Sequence, residues 1–81
     1  GMSKDLQARA HDVETTVRVG KGGIESVADE LTSQLQEREL VKVKFLRSAR
    51  GGTTTEELAE ELAETVDAEL VETRGHTGVF H

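Results

Sequence analysis

Apolar residues recur at two different spacings along this chain of 81 residues, and the spacing changes from one segment to the next. Alternating apolar and polar residues over 13–19 and 40–46 predict two strands, each with one buried face. Apolar residues of 24–37 recur at helical spacing and predict an amphipathic helix between those strands. The complete predicted order is helix 4–11 capped by Ser3, strand 13–19, helix 24–37, strand 40–46, helix 53–66 opened by a capping box, strand 68–73 and strand 77–81.

This α-β-α-β-α-β-β order predicts an α+β fold with a four-stranded mixed sheet in one small domain spanning residues 2–81. Gly1 before Met2 is typical of a residue left by tag cleavage. Two strand-helix-strand crossovers precede a terminal hairpin, and such crossovers make neighbouring strands parallel. Phe45 and Phe80 are the only aromatic residues, so the core must be built mainly from aliphatic side chains. Because the first two strands keep a polar side, part of one sheet face is expected to be open.

Composition excludes several classes of function. Without cysteine there can be no disulfide and no thiolate metal site. No apolar run approaches the length of a membrane span, and no signal peptide opens the chain, so a cytoplasmic monomer without membrane contact is expected. His11, His76 and His81 lack metal-ligand spacing. No nucleophile-base arrangement is evident either, so we expect no cofactor, no metal and no catalysis.

Charge is distributed unevenly, although the net charge is −6. Residues 40–52 contain four basic side chains and no acid, and residues 15–24 contain two basic side chains and no acid. The acids concentrate in the third helix, at Glu56, Glu57, Glu60, Glu61 and Glu64. The pattern is compatible with one basic and one acidic surface, and equally with an ordinary solvated helix face.

Gly20, Lys21, Gly22 and Gly23 lie between the first strand and the following helix. Glycines let the backbone approach a ligand closely and adopt positive φ angles. A helix N-terminus offers unpaired N–H groups and the positive end of its dipole, which favour phosphate, and Lys21 adds a mobile charge. The loop is therefore suited to clamping a phosphodiester, although a glycine-rich junction is more often simply a turn.

Two familiar phosphate-binding motifs do not match this loop. A P-loop requires Gly-x-x-x-x-Gly-Lys-Ser/Thr, which the chain lacks, and a dinucleotide fingerprint requires glycine where Glu25 stands. Glu25 in the first helical turn would repel a bound phosphate. Its side chain is therefore expected to point away from any phosphate in the loop.

Three stretches resemble the CRM domain family, whose simplest member is the bacterial YhbY protein. They are Leu6-Gln-Ala-Arg-Ala-His11, Val17-Arg-Val-Gly-Lys-Gly-Gly-Ile24 and Glu39-Leu-Val-Lys-Val-Lys-Phe45, with Arg74-Gly-His-Thr77 also similar near the end. The resemblance covers nearly the whole chain. It implies an RNA-binding domain with a fold like the C-terminal domain of bacterial translation initiation factor three. It also implies ribosomal RNA and large-subunit assembly as the setting, with residues 20–23 as the RNA-contacting loop.

Further basic residues are expected to extend that contact. Arg18, Lys42 and Lys44 lie on the polar sides of the first two strands. If these sides coincide, the three residues form a basic stripe. The remaining candidate residues, which would extend the stripe, are Arg47, Arg50 and Arg74. Exposed aromatic residues for base stacking are missing, which favours recognition of RNA backbone and shape. Two alternatives stay open: a protein-interaction module that docks a basic partner through the acidic third helix, and an Alba-like nucleic-acid binder.

Overall fold

A computed structural model describes residues 4–81, and the predicted cap at Ser3 lies outside them. The predicted element order is confirmed. The elements are α1 (Lys4–Ala10), β1 (Thr15–Val19), a 3-10 turn (Ile24–Ser26), α2 (Ala28–Glu37), β2 (Val41–Phe45), a second 3-10 turn (Arg47–Ala49), α3 (Thr55–Val66), β3 (Leu70–Arg74) and β4 (Thr77–Phe80). No helix among these residues is long and apolar enough to cross a membrane.

The predicted helix 24–37 is divided into two parts. Residues Ile24–Ser26 form a 3-10 turn, and α2 begins only at Ala28 after Val27, whose φ of −116° lies outside the helical range. Both the hydroxyl and the N–H of Ser26 donate to the Gly23 carbonyl oxygen, at 2.7 and 3.2 Å. A serine that bonds the nearby backbone in this way competes with the α-helical pattern, so the first turn stays tight.

One half of the capping box predicted for the third helix is present, because the structure shows the N-cap bond from the threonine but no return bond from the glutamate to the Thr54 N–H among the described residues. Thr54 is the N-cap of α3, and its hydroxyl oxygen accepts a hydrogen bond from the Glu57 N–H at 3.1 Å. The Thr53 hydroxyl donates to the Glu57 carboxylate at 2.8 Å. These bonds satisfy an otherwise unpaired N–H and fix where α3 starts.

The strands form one mixed sheet in the order β1-β2-β4-β3. As predicted, β1 and β2 are parallel neighbours, and β3 and β4 form an antiparallel hairpin. The sequence left the strand order open, and in the structure β4 pairs antiparallel with both β2 and β3 and lies between them. The second crossover therefore joins parallel strands that are not neighbours. Burial explains the order: Gly78, Val79 and Phe80 are all buried, as a central strand requires, whereas β3 is mostly half-buried or exposed and suits an edge.

Two apolar clusters hold the sheet between its helices. On one face, α2 and α3 pack over a core that includes Leu31, Phe45, Leu62 and Phe80. A Cβ atom at Gly78 would lie only 3.3 Å from the Ala59 Cβ, so α3 sits close against β4. This face is thus fully covered by helices.

The opposite face carries a smaller cluster beneath α1, comprising Ala10, Leu40, Val71 and Val79. Arg9 ties this helix to the connection before β2 through a 2.6 Å ion pair with Glu39, and that hydrogen bond raises the pKa of Arg9. Since α1 packs against β3 and leaves Arg18 and Lys44 exposed, the predicted open region of the sheet is present.

Candidate nucleic-acid interface

Three loops meet at one edge of the sheet. The parallel strands β1 and β2 both end there, and the β3–β4 turn lies beside them because β4 starts next to the end of β2. The Phe45 N–H donates to the His76 carbonyl oxygen, and the Leu46 N–H donates to the Val19 carbonyl oxygen, both at 2.8 Å. These bonds bring the glycine loop 20–23, the segment 46–54 and the turn 75–76 together.

The glycine loop leaves two backbone donors unoccupied. Its turn is closed by the Gly23 N–H, which donates to the Gly20 carbonyl oxygen at 3.0 Å. Among the hydrogen bonds within residues 4–81, none uses the N–H of Lys21 or Gly22. Lys21 and Gly22 are both exposed. The loop can therefore offer two N–H groups and an ammonium group to an anion.

Only one glycine of this loop needs to be glycine for conformational reasons. Gly23 has φ 77° and ψ −179°, a region that residues with a Cβ atom rarely occupy. At Gly20 an added Cβ would meet only ordinary contacts, the nearest being Ser48 Oγ at 3.4 Å. The positive φ values predicted for the loop are therefore concentrated at its last residue.

Helix geometry at the loop differs from the prediction. Because α2 begins at Ala28, the loop is followed by a three-residue 3-10 turn rather than by the N-terminus of a long α-helix. The dipole of a helix acts mainly within its first turn. Anion binding at the loop must therefore rest on the N–H groups and the Lys21 side chain more than on the dipole of α2.

Glu25 does not point away from the loop. One of its carboxylate oxygens would lie 3.2 Å from a Cβ atom placed on Gly23, so the carboxylate covers the end of the loop. The side chain is exposed and no hydrogen bond within the described chain holds it there. An anion that binds the loop would meet the negative charge of this carboxylate, as the sequence indicated.

Basic side chains form a row across the open face of the sheet. Arg18 pairs in register with Lys44, Lys44 pairs with Thr77, and Thr77 pairs with Arg74. Residues in register on adjacent strands lie roughly 4.8 Å apart and point to the same face. The polar sides of β1 and β2, which the sequence left as a possible shared face, therefore coincide at these positions. We call Arg18, Lys44 and Arg74 the basic row.

The other basic residues predicted to contact RNA differ in their exposure and in the partners that their side chains already have. Arg47 is exposed in the 3-10 turn that follows β2, and Lys42 is half-buried. Arg50 is half-buried and its Nε donates to the Phe45 carbonyl oxygen at 3.0 Å, so its guanidinium is anchored. Within the described residues, no ion pair involves Arg18, Lys21, Lys42, Lys44 or Arg47.

Arg74, in contrast, already has partners. Its Nη2 lies 3.2 Å from His11 Nε2 and its Nε lies 3.8 Å from a buried carboxylate oxygen of Glu72. His11 Nδ1 is 3.6 Å from the same oxygen. Arg74, His11 and Glu72 thus link the end of α1 to β3. The Glu72 carboxylate partly neutralises the charge of Arg74. Residues so distant in sequence carried no signal of this contact.

The sheet separates the two signs of charge. Arg18 and Lys44 alternate along their strands with Val19 and Phe45, which belong to the core beneath α2 and α3. The basic row therefore points away from α3, whose five glutamates are all exposed. Across residues 4–81 there is no group of three acids and histidines arranged to hold a metal ion. The surface offers cationic and N–H donors, which are suited to a polyanion.

Comparison with known proteins identifies the family. The family description "CRS1 / YhbY (CRM) domain" matches residues 2–81. This chain belongs to the CRM domain family. The matched residues include all the elements described above.

Two relatives of this CRM domain are informative. "Probable RNA-binding protein MJ0652" of Methanocaldococcus jannaschii is 45% identical over 75 residues, which cover 93% of this chain. The matched region is 56% of that relative, so this chain spans little more than half its length. The solution structure of the hypothetical protein SAV1595 from Staphylococcus aureus, a protein with a suggested RNA-binding role, aligns with a TM-score of 0.77 at 34% identity. That alignment covers 96% of this chain and 80% of the other.

Proposed function

We propose that this CRM domain binds RNA through the edge where the glycine loop and the basic row meet. The observation that carries the proposal is the set of free donors at that edge: two loop N–H groups, Lys21, Arg18, Lys44 and Arg47, none of which has an ion-pair partner within residues 4–81. Phosphate contacts supply most of the affinity in nucleic-acid complexes. The names of the two relatives support RNA as the polyanion.

In the proposed complex the loop holds one phosphate and the basic row follows the adjacent backbone. The Lys21 and Gly22 N–H groups would donate to phosphate oxygens, and the Lys21 ammonium would neutralise the charge. Arg18 and Lys44 lie side by side and can each contact a further phosphate. Arg74 is the weaker member, because Glu72 already neutralises part of its charge. The proposed activity is binding, without a chemical step.

The RNA target proposed is ribosomal RNA, in assembly of the large ribosomal subunit. This part of the proposal rests on the family resemblance alone. A folded RNA suits the surface, because a basic row on a sheet can follow the backbone of a helical RNA by shape. We also propose that the protein acts as a monomer, since no large hydrophobic residue is exposed in the described part of the chain.

Fluorescence anisotropy with a labelled fragment of structured ribosomal RNA tests the proposal. Lys21→Glu is expected to reduce affinity at least about tenfold at low salt, because it replaces a phosphate contact with repulsion. A variant with Glu57, Glu61 and Glu64 changed to glutamine should retain binding. No RNA binding at any salt concentration would contradict the proposal and favour a domain that docks a basic protein through α3. If duplex DNA binds as tightly as the RNA fragment, the result would favour the alternative of an Alba-like nucleic-acid binder.

A further inference from the structure

A small cavity lies at the same edge as the glycine loop, between the start of α3 and the β3–β4 turn. Its volume is about 250 Å³. The walls are formed by residues 53–56, by Arg50 and by Gly75 and His76 of the turn. Because pockets for drug-sized ligands span about 300–1,000 Å³, this one suits a smaller, flat group.

The wall chemistry disfavours a phosphate. Glu56 lines the cavity, and its carboxylate would repel a second anion. The same carboxylate accepts hydrogen bonds, as do the neighbouring threonine hydroxyls, which can also donate. Such a mixture of acceptors and donors matches the edge of a nucleobase, which presents both kinds of group.

Two wall residues have side chains on which a base can stack. Unpaired RNA bases stack on histidine rings and on arginine guanidinium planes as well as on larger aromatic rings. Phe45 and Phe80, the larger aromatic residues of this chain, are both fully buried in the core. Arg50 and His76 therefore bring stacking capacity to this edge. The anchoring bond from Arg50 to the Phe45 carbonyl oxygen holds its guanidinium in a defined position.

Thr55 provides an independent observation. This wall residue is only 4% exposed, and its hydroxyl makes no hydrogen bond to any described residue. Buried hydroxyls in folded proteins normally have a partner. The neighbouring hydroxyls of Thr53 and Thr54 are both occupied in the capping of α3. Among the three threonines at the start of α3, Thr55 alone has a hydroxyl without a partner in the described chain, and Thr55 is a residue of the cavity wall.

We propose that the cavity receives a single unpaired nucleobase of the RNA held by the adjacent loop and basic row. The inference rests on the proposed RNA-binding function and adds base contact to it. His76 and Arg50 stack on the base, while Glu56 and the Thr55 hydroxyl bond to its edge. In this proposal the protein recognises the shape of the RNA backbone together with one base that is turned out of the RNA helix.

A pair of RNA hairpins tests the inference by anisotropy. Both carry one single-nucleotide bulge, with guanine in one hairpin and an abasic ribose in the other, so only the base differs. The wild-type protein is expected to prefer the base-bearing hairpin by about tenfold, the scale of one stacking contact. His76→Ala should reduce this preference to about one. His81→Ala is the matched control, because that exposed histidine lies at the other end of β4, and it should keep the preference.

The outcomes separate this inference from the function on which it rests. Equal wild-type affinity for the two hairpins would overturn the base pocket and leave RNA binding in place. Failure of the wild type to bind either hairpin would overturn the proposed function and the base pocket together.

Discussion

Arg18 and Lys44 occupy paired positions on the parallel strands β1 and β2, so their side chains leave the open face of the sheet side by side. Neither has an ion-pair partner in the described chain. Two adjacent cations without a carboxylate partner are suited to successive phosphates of a polyanion. The pair is therefore a direct place to test the proposed RNA contact.

Replacement of Arg18 by alanine should weaken RNA binding about threefold to tenfold at low salt. The slope of log affinity against log salt should fall by about 1, because one phosphate contact is lost. Anisotropy titrations at several salt concentrations measure both quantities. Arg38→Ala is the matched control, since this exposed arginine lies at the C-terminal end of α2. An unchanged slope for Arg18→Ala would remove the basic row from the binding surface.

Glu25→Gln should strengthen RNA binding. The Glu25 carboxylate covers Gly23 at the end of the loop, and its charge opposes an incoming phosphate. We expect a gain of about threefold at low salt that disappears near 1 M salt, as exposed charges are screened there. Glu37→Gln, at the far end of α2, should have little effect. Weaker binding of Glu25→Gln would indicate that this carboxylate assists binding instead.

Gly23→Ala should destabilise the fold by about 1–3 kcal/mol, because the backbone at Gly23 occupies a region nearly reserved for glycine. Gly20→Ala should change stability by less than about 1 kcal/mol, since its φ is not positive and the new methyl group meets only ordinary contacts. Urea denaturation of the two variants measures the difference. Equal losses would show that the loop geometry at Gly23 is not as described.

Two adjacent threonines should respond to valine substitution with opposite signs. Thr55→Val removes a buried hydroxyl that has no partner and should raise the free energy of unfolding by about 1 kcal/mol. Thr54→Val removes the N-cap acceptor of α3 and should lower it by about 1 kcal/mol. Chemical denaturation with both variants gives the comparison. A loss of stability in Thr55→Val would mean that its hydroxyl has a partner in solution.

Much of the fold could be predicted from local patterns. The alternation around Val43 predicts β2, and the Thr54–Glu57 pair predicts where α3 starts, because both signals arise within a few residues. The insertion of β4 between β2 and β3 could not be predicted from crossover rules. It depends on burial of Val79 and Phe80 from both sides, which is a property of the assembled sheet.

The candidate site was predictable in part for the same reason. Sequence could predict the glycine loop and the place of Arg18 and Lys44 on the polar sides of their strands, but it left open whether those sides coincide. It could not predict that Arg50 would be anchored on a backbone carbonyl oxygen. Nor could it bring His76 beside Thr55, because those residues meet only through the packing of α3 against the hairpin. Contacts between distant segments were therefore the missing information.

The central claim is that RNA binds at the edge formed by the glycine loop and the basic row. Titration of the isotope-labelled protein with a structured ribosomal RNA fragment, followed by amide chemical-shift changes in NMR spectra, tests it directly. We predict that the largest changes fall on residues 18–24 and 42–48, with smaller changes at the turn 75–77. Changes confined to the exposed, acidic side of α3, with the loop amides unaffected, would contradict it.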